Sequence, residues 1–96
     1  MELTIEKSVL HKLAYLGRLD LIKLFVEQHG YNVDLRDGHG RTPLFYAIAR
    51  TCEDVVYYLV ENGADVNACA NDKMTPLNLA VLDRHMREKY IEQGYY

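Results

Sequence analysis

The feature that most constrains this chain is that it repeats itself. Asp37-Gly38-His39-Gly40-Arg41-Thr42-Pro43-Leu44 aligns with Ala70-Asn71-Asp72-Lys73-Met74-Thr75-Pro76-Leu77, so the two Thr-Pro-Leu triplets stand 33 residues apart and Ala47 falls on Ala80. Upstream, Leu21, Ile22, Phe25 and Val26 fall on Val55, Val56, Leu59 and Val60 at an offset of 34, and Val33 meets Val66 at 33. A fixed period of this size marks stacked supersecondary units rather than one irregular fold. The one-residue mismatch places an insertion around His29-Gly30-Tyr31, in a loop, where it is harmless.

Each unit has a physical reading. Thr42 is a favourable N-cap and Pro43 suits the first helical position, so a short helix is predicted over 43–50, with Leu44, Ala47 and Ile48 at helical spacing. Ala47 is small enough for close helix packing. A second helix starts near Glu53, whose charge and that of Asp54 complement the positive helix end. Val55, Val56, Leu59 and Val60 form its apolar stripe, and Gly63 is the expected left-handed cap. Asp65-Val66-Asn67 then leads out as an extended arm. A helix pair this small cannot bury its apolar face alone, so copies must stack into a solenoid.

Asp37 to Ala68 resembles an ankyrin repeat along its whole length, down to Gly63-Ala64-Asp65-Val66-Asn67-Ala68. Leu10-His11 with Ala14 and Gly17 is similar to a diverged first repeat in which Ser8 and Val9 replace Thr and Pro. His11 holds the family's histidine position, which implies local hydrogen bonds near the turn, and Phe45 and Asn78 replace it in the other units. The resemblance implies an all-α solenoid of helix-turn-helix units joined by β-turn or hairpin-like loops. The 96 residues form one domain, with a diverged repeat over 3–36, a complete one over 37–69 and a partial one or cap over 70–96. In the third unit Lys73 replaces the family's turn glycine, a substitution costing ~1 kcal/mol if φ is positive. Only Met86, Tyr90 and Ile91 remain as apolar anchors in its second half. We read that half as a polar cap; a degenerate tail or the end of a longer array are the alternatives. So few units imply marginal stability.

Composition narrows the function. Apolar residues are 49% of the chain, charged residues 26% and the net charge is −3, with no run of Lys or Arg. That balance argues against disorder and against nucleic acid, despite eight tyrosines that could stack on bases. No apolar run or leader pattern points to a membrane or to secretion, and Cys52 and Cys69 lack metal-type spacing, so an intracellular protein with reduced thiols is expected. His11, His29, His39 and His85 are scattered, Gly38-His39-Gly40 lacks the third glycine of a dinucleotide loop, and Ser8, His11 and Asp34 have no triad-like spacing. No catalytic site, metal or cofactor is expected.

What the resemblance implies instead is a protein partner held on a concave surface of turn tips and first-helix faces. Carried over by position, that surface comprises Arg36, Gly38, His39 and Arg41 at one turn and Cys69, Asn71, Asp72 and Met74 at the next. Tyr15, Leu16, Ala49, Arg50, Leu82 and Asp83 stand on its helix side. Arg36, Arg41 and Arg50 then face an acidic partner segment, with Asp72 and Asp83 one unit along, giving a groove positive and then negative. Thr42, Thr75, Pro76 and Leu77 are expected to be structural. Asn67, eight residues after Leu59, fits the family's pattern for asparaginyl hydroxylation. The alternative function is structural, a self-associating piece of a larger array joined through Met86, Tyr90, Ile91, Tyr95 and Tyr96.

Overall fold

The computed structural model describes residues 8–81. Two helix pairs and the start of a third fill that span, and no strand occurs among the described residues. The first pair is α1 (Val9–Leu16) and α2 (Leu19–Lys23), which continues through a π-helical turn, Leu24–Gln28. The second is α3 (Pro43–Ala49) and α4 (Glu53–Glu61). A fifth helix begins at Pro76 and is described to Val81.

Stacking proceeds like on like: α1 packs on α3, α2 touches α4, and each first helix packs on its own second helix. The core therefore runs through the middle of the stack as Leu10, Leu13, Ala14, Ile22, Leu44, Ala47, Val55 and Leu59. Ala14 and Ala47 are fully buried, and their small side chains let α1 and α3 approach closely.

Thr-Pro begins the helices as expected, with one difference. Thr75 Oγ1 accepts the Asn78 N–H at 3.0 Å, the side-chain cap that position provides. Thr42 occupies the same place before α3 with extended backbone (φ −94°, ψ 165°), yet makes no such bond; its hydroxyl is buried without a partner among the described residues.

The ends of α1, α3 and α4 share one device. At α1, the Gly17 N–H bonds the Ala14 carbonyl (3.2 Å) and the Arg18 N–H bonds Leu13 (2.9 Å). At α4, Gly63 and Ala64 repeat the pattern on Val60 and Leu59, and Gly63 has φ +89° as expected. At α3, the N–H groups of Thr51 and Cys52 bond Ile48 and Ala47 in the same way, but the left-handed residue is threonine, with φ +58°. A β-branched residue in that region is strained by roughly 1–2 kcal/mol. Glycine would relieve the strain but return ~0.5–1 kcal/mol as entropy of the unfolded chain. Thr51→Gly should therefore raise stability by ~0.5–1 kcal/mol, seen as a higher thermal midpoint. Lys73, at φ +70°, has the conformation expected for it, and Lys73→Gly should act in the same direction.

The extra residue of the first unit lies inside a helix, not in the loop. Its register slips through the π-helical turn Leu24–Gln28, and the closing bond runs from the Tyr31 N–H to the Phe25 carbonyl, six residues back. The equivalent bond after α4, Ala64 to Leu59, spans five. A helix that absorbs one residue as a wider turn keeps both ends in register with its neighbour. Deleting exposed Gln28 should convert the turn to regular α-helix and leave the melting midpoint equal or higher; a drop of more than a few degrees would show that the wider turn is itself stabilising.

Candidate binding surface

The loops between units are hydrogen-bonded turns. Asp37 N–H bonds the Arg41 carbonyl and Gly40 N–H bonds Asp37, both at 2.9 Å; Ala70, Met74 and Lys73 repeat this pattern one unit on. Asn71 joins the turns sideways, its backbone N–H to His39 O (2.9 Å) and its side-chain amide to Gly38 O (3.1 Å). The arms behind them are held by short carboxamide and carboxylate turns. Asn32 accepts the Asp34 N–H, Asp65 accepts Asn67 at 2.8 Å, and Asp34 reaches across to the Asp65 N–H at 2.9 Å.

Asp37 organises the first turn. Its Oδ1 accepts the N–H groups of His39 (2.9 Å) and Arg41 (3.0 Å), and its Oδ2 accepts the Tyr46 hydroxyl. Partial burial pushes the carboxyl upward, but these hydrogen bonds and nearby His11 outweigh it and hold Asp37 below the usual carboxylate range. Burial first, then the bond to Asp37, keeps Tyr46 protonated beyond its ordinary value. Because the folded carboxyl ionises at lower pH than the unfolded one, its stabilisation is complete above ~4 and disappears as pH falls through the folded value. Asp37→Asn should therefore lose less stability than the wild type between pH 5 and pH 2.5, measured by denaturant melts.

His11 is 3% exposed, and its Nε2 donates to the Arg41 carbonyl at 2.9 Å. That bond spans 30 residues, so it ties α1 to the next unit's turn rather than being local as expected. A carbonyl only accepts, which fixes the proton on Nε2.

Between α1 and this turn lies an open cleft of about 830 Å³, lined by Lys12, Tyr15, Leu16, Arg36, His39 and Tyr46, with His11 and Asp37 deeper in its wall. Tyr46 is its central aromatic, edge-on to His11, Tyr15 and Phe45 with centroids 5.8, 6.5 and 5.9 Å away. The Arg50 guanidinium lies 4.7 Å from the Tyr15 ring centre.

The expected site residues divide. Arg36, Gly38 and His39 are exposed on the cleft wall, with Arg36 Nη1 donating to the carbonyls of Cys69 and Gly40. Ala49 and Arg50 are exposed on α3, and Tyr15 and Leu16 are 47% and 67% exposed on α1. Arg41 is half-buried over Phe45 and Tyr46 and pairs with Asp72 at 3.9 Å, so two of the charges assigned to opposite halves of the groove face one another. Asn71 is exposed but structural in its bonds, Cys69 is exposed and Met74 half-buried. Asn67 is exposed in its arm. Leu82, Asp83, Met86, Tyr90, Ile91, Tyr95 and Tyr96 lie outside the described residues. Leu77, expected to hold its unit together, is 47% exposed, although its N–H bonds Val66 O at 3.0 Å.

Lys12, Asp37 and Tyr46 belong to the surface and escaped the sequence reading. Helical spacing could have found two of them. Tyr46 stands three and four residues before Ala49 and Arg50, and Lys12 stands likewise before Tyr15 and Leu16. Among the described residues no cluster of His, Cys, Asp or Glu is placed to hold a metal ion, and no helix is long and apolar enough to cross a membrane.

Like-on-like helix stacking with laterally bonded turns defines a helical repeat solenoid. A family model for ankyrin repeats, in three copies, matches residues 10–90, and the chain belongs to the ankyrin-repeat family. It is 42% identical over 67 residues to Alpha-latrocrustotoxin-Lt1a of Latrodectus tredecimguttatus, covering 70% of this chain and 5% of the toxin. It is 38% identical over 80 residues to the human Ankyrin repeat domain-containing protein 53, covering 79% of this chain and 15% of that protein. Human BCL-6 corepressor-like protein 1 is 29% identical over 89 residues, 93% of this chain and 5% of its own length. The chain thus spans a small part of these relatives. Ankyrin repeats generally mediate protein–protein interaction, and the family is typically non-catalytic.

Proposed function

We propose that this chain is a non-catalytic protein-binding module that presents its concave face, centred on the cleft between α1 and the first turn, to a partner protein. The cleft is the observation that supports this reading. Its walls are held before any partner arrives, by Asn71 across the turns, by His11 from α1 to the Arg41 carbonyl, and by the Tyr46–Asp37 bond. A preformed surface lowers the ordering cost of association. Tyr and Arg are the types that most often carry interface energy, and exposed Tyr15, Arg36 and Arg50 with half-buried Tyr46 supply them here.

The test is affinity capture from a native-host lysate with the full chain beside a folded Arg36→Glu/Arg50→Glu variant. A partner retained by the first and lost by the second is the expected result. The same partner on both would place binding elsewhere on the module, and no partner on either would count against it. Hydroxylation of Asn67 is a separate proposal, supported by its exposure, and intact-mass analysis of native material decides it.

A further inference from the structure

We propose that the cleft between α1 and the first turn receives a short acidic segment of a protein partner, with one carboxylate gripped by Arg50 and an adjacent apolar side chain laid on Tyr15, Leu16 and Tyr46. The proposal rests on reading the concave face as the binding surface and adds the chemistry of what it binds.

Charge complementarity carries it. Arg50 lies against the Tyr15 ring, 4.7 Å from its centre, and is exposed. Contact with the ring restrains the guanidinium, whose planar N–H fork can grip a carboxylate with two parallel bonds. Among the described residues neither Arg50 nor Arg36 pairs with a carboxylate. Carbonyls of Cys69 and Gly40 orient Arg36 without neutralising it. Arg41 does not contribute, because Asp72 faces it.

The acid in the cleft wall, Asp37, forms no ion pair with either arginine among the described residues. Both oxygens of Asp37 are taken, Oδ1 by the N–H groups of His39 and Arg41 and Oδ2 by the Tyr46 hydroxyl. The exposed apolar surface beside the arginines, Tyr15 at 47% and Leu16 at 67%, suits an aliphatic or aromatic neighbour of the bound acid. The whole chain carries −3, so the positive character is local and matches a short acidic segment better than a polyanion such as nucleic acid.

Selection of a random peptide display library on the full chain tests this. Enriched peptides are resynthesised and titrated by fluorescence anisotropy against wild type, Arg50→Gln, Arg50→Lys and Tyr15→Ser, each first shown to melt like the wild type. Enriched peptides should carry Asp or Glu beside Leu, Ile, Phe or Tyr. Arg50→Gln should weaken them on the order of tenfold and Arg50→Lys should recover only part, because a lysine lacks the planar fork. Raising salt should weaken the wild type more than Arg50→Gln. Enriched peptides without acids, sensitive to Tyr15→Ser, would overturn the acidic chemistry and leave the concave-face reading standing. Peptides indifferent to both Arg50→Gln and Tyr15→Ser would overturn both, and a library yielding no enriched peptide would overturn the acidic segment.

Discussion

Leu44→Ala should abolish the cooperative thermal transition near physiological temperature, whereas Leu77→Ala, at the same place one unit on, should shift it only slightly. Leu44 is completely buried in the middle helix pair, in the cluster that includes Leu10, Ala47 and Leu59. Truncating a fully buried leucine costs ~2–5 kcal/mol, the lost transfer energy plus the cavity left behind. A domain of this size is stable by about 5–15 kcal/mol, and a solenoid of so few units belongs at the low end. Stability here is a chain of unit and neighbour terms, so damage to the middle unit weakens the contacts on both sides. Leu77 is 47% exposed and leaves a much smaller void. Circular dichroism melts of both variants and the wild type at several concentrations decide it. A Leu44→Ala midpoint within about 5 °C of the wild type would mean that the core is not organised around the middle pair.

That pair of leucines shows what the repeat could and could not announce. Period, helix pairs, turn positions and the caps at Gly63 and Thr75 follow from local chemistry, and local chemistry is visible in a sequence. Leu44 and Leu77 are the same letter at the same phase, and only what packs beside them separates a core residue from a half-exposed one. The offsets of 34 and 33 reveal one extra residue but not how the chain absorbs it. A loop and a π-helical turn look identical in the alignment, and the structure has the second. Thr51 gives no hint of a left-handed conformation, because the need for it comes from the turn into α4 rather than from threonine. The binding surface is legible to the same extent. Turn tips and first-helix faces follow from the repeat, but the Arg41–Asp72 contact depends on the stacking of two units and the Tyr46–Asp37 bond on the turn folding back onto α3. The surface we propose consequently lies toward α1, away from a groove that would divide evenly into positive and negative halves.

The second large effect concerns the turn that forms the cleft's wall. Gly40→Ala should destabilise the chain by ~2–4 kcal/mol, while Gly38→Ala, two residues earlier, should stay within ~0.5 kcal/mol of the wild type. Gly40 has φ +75°, where an L side chain costs roughly 1–2 kcal/mol. A Cβ there would also stand 2.4 Å from Asn71 Oδ1 and 3.0 Å from the Asn71 backbone nitrogen. The side chain could rotate away, giving up its bond to Gly38 O, a further ~0.5–1.5 kcal/mol. The backbone nitrogen is less able to yield, because its N–H bonds His39 O and holds the neighbouring turns together. Around Gly38 nothing lies within 4 Å of an added methyl group. Urea denaturation of Gly40→Ala, Asn71→Ala and the double variant separates the contributions. If the clash with the Asn71 side chain matters, the double variant should be more stable than the sum of the single losses implies, by ~1 kcal/mol. Strict additivity would assign the Gly40 effect to its backbone conformation and to the contact with the Asn71 backbone nitrogen. The same variant should also weaken partner binding beyond its effect on the folded population, because Gly38 and His39 lose the lateral bonds that fix them in the wall of the cleft.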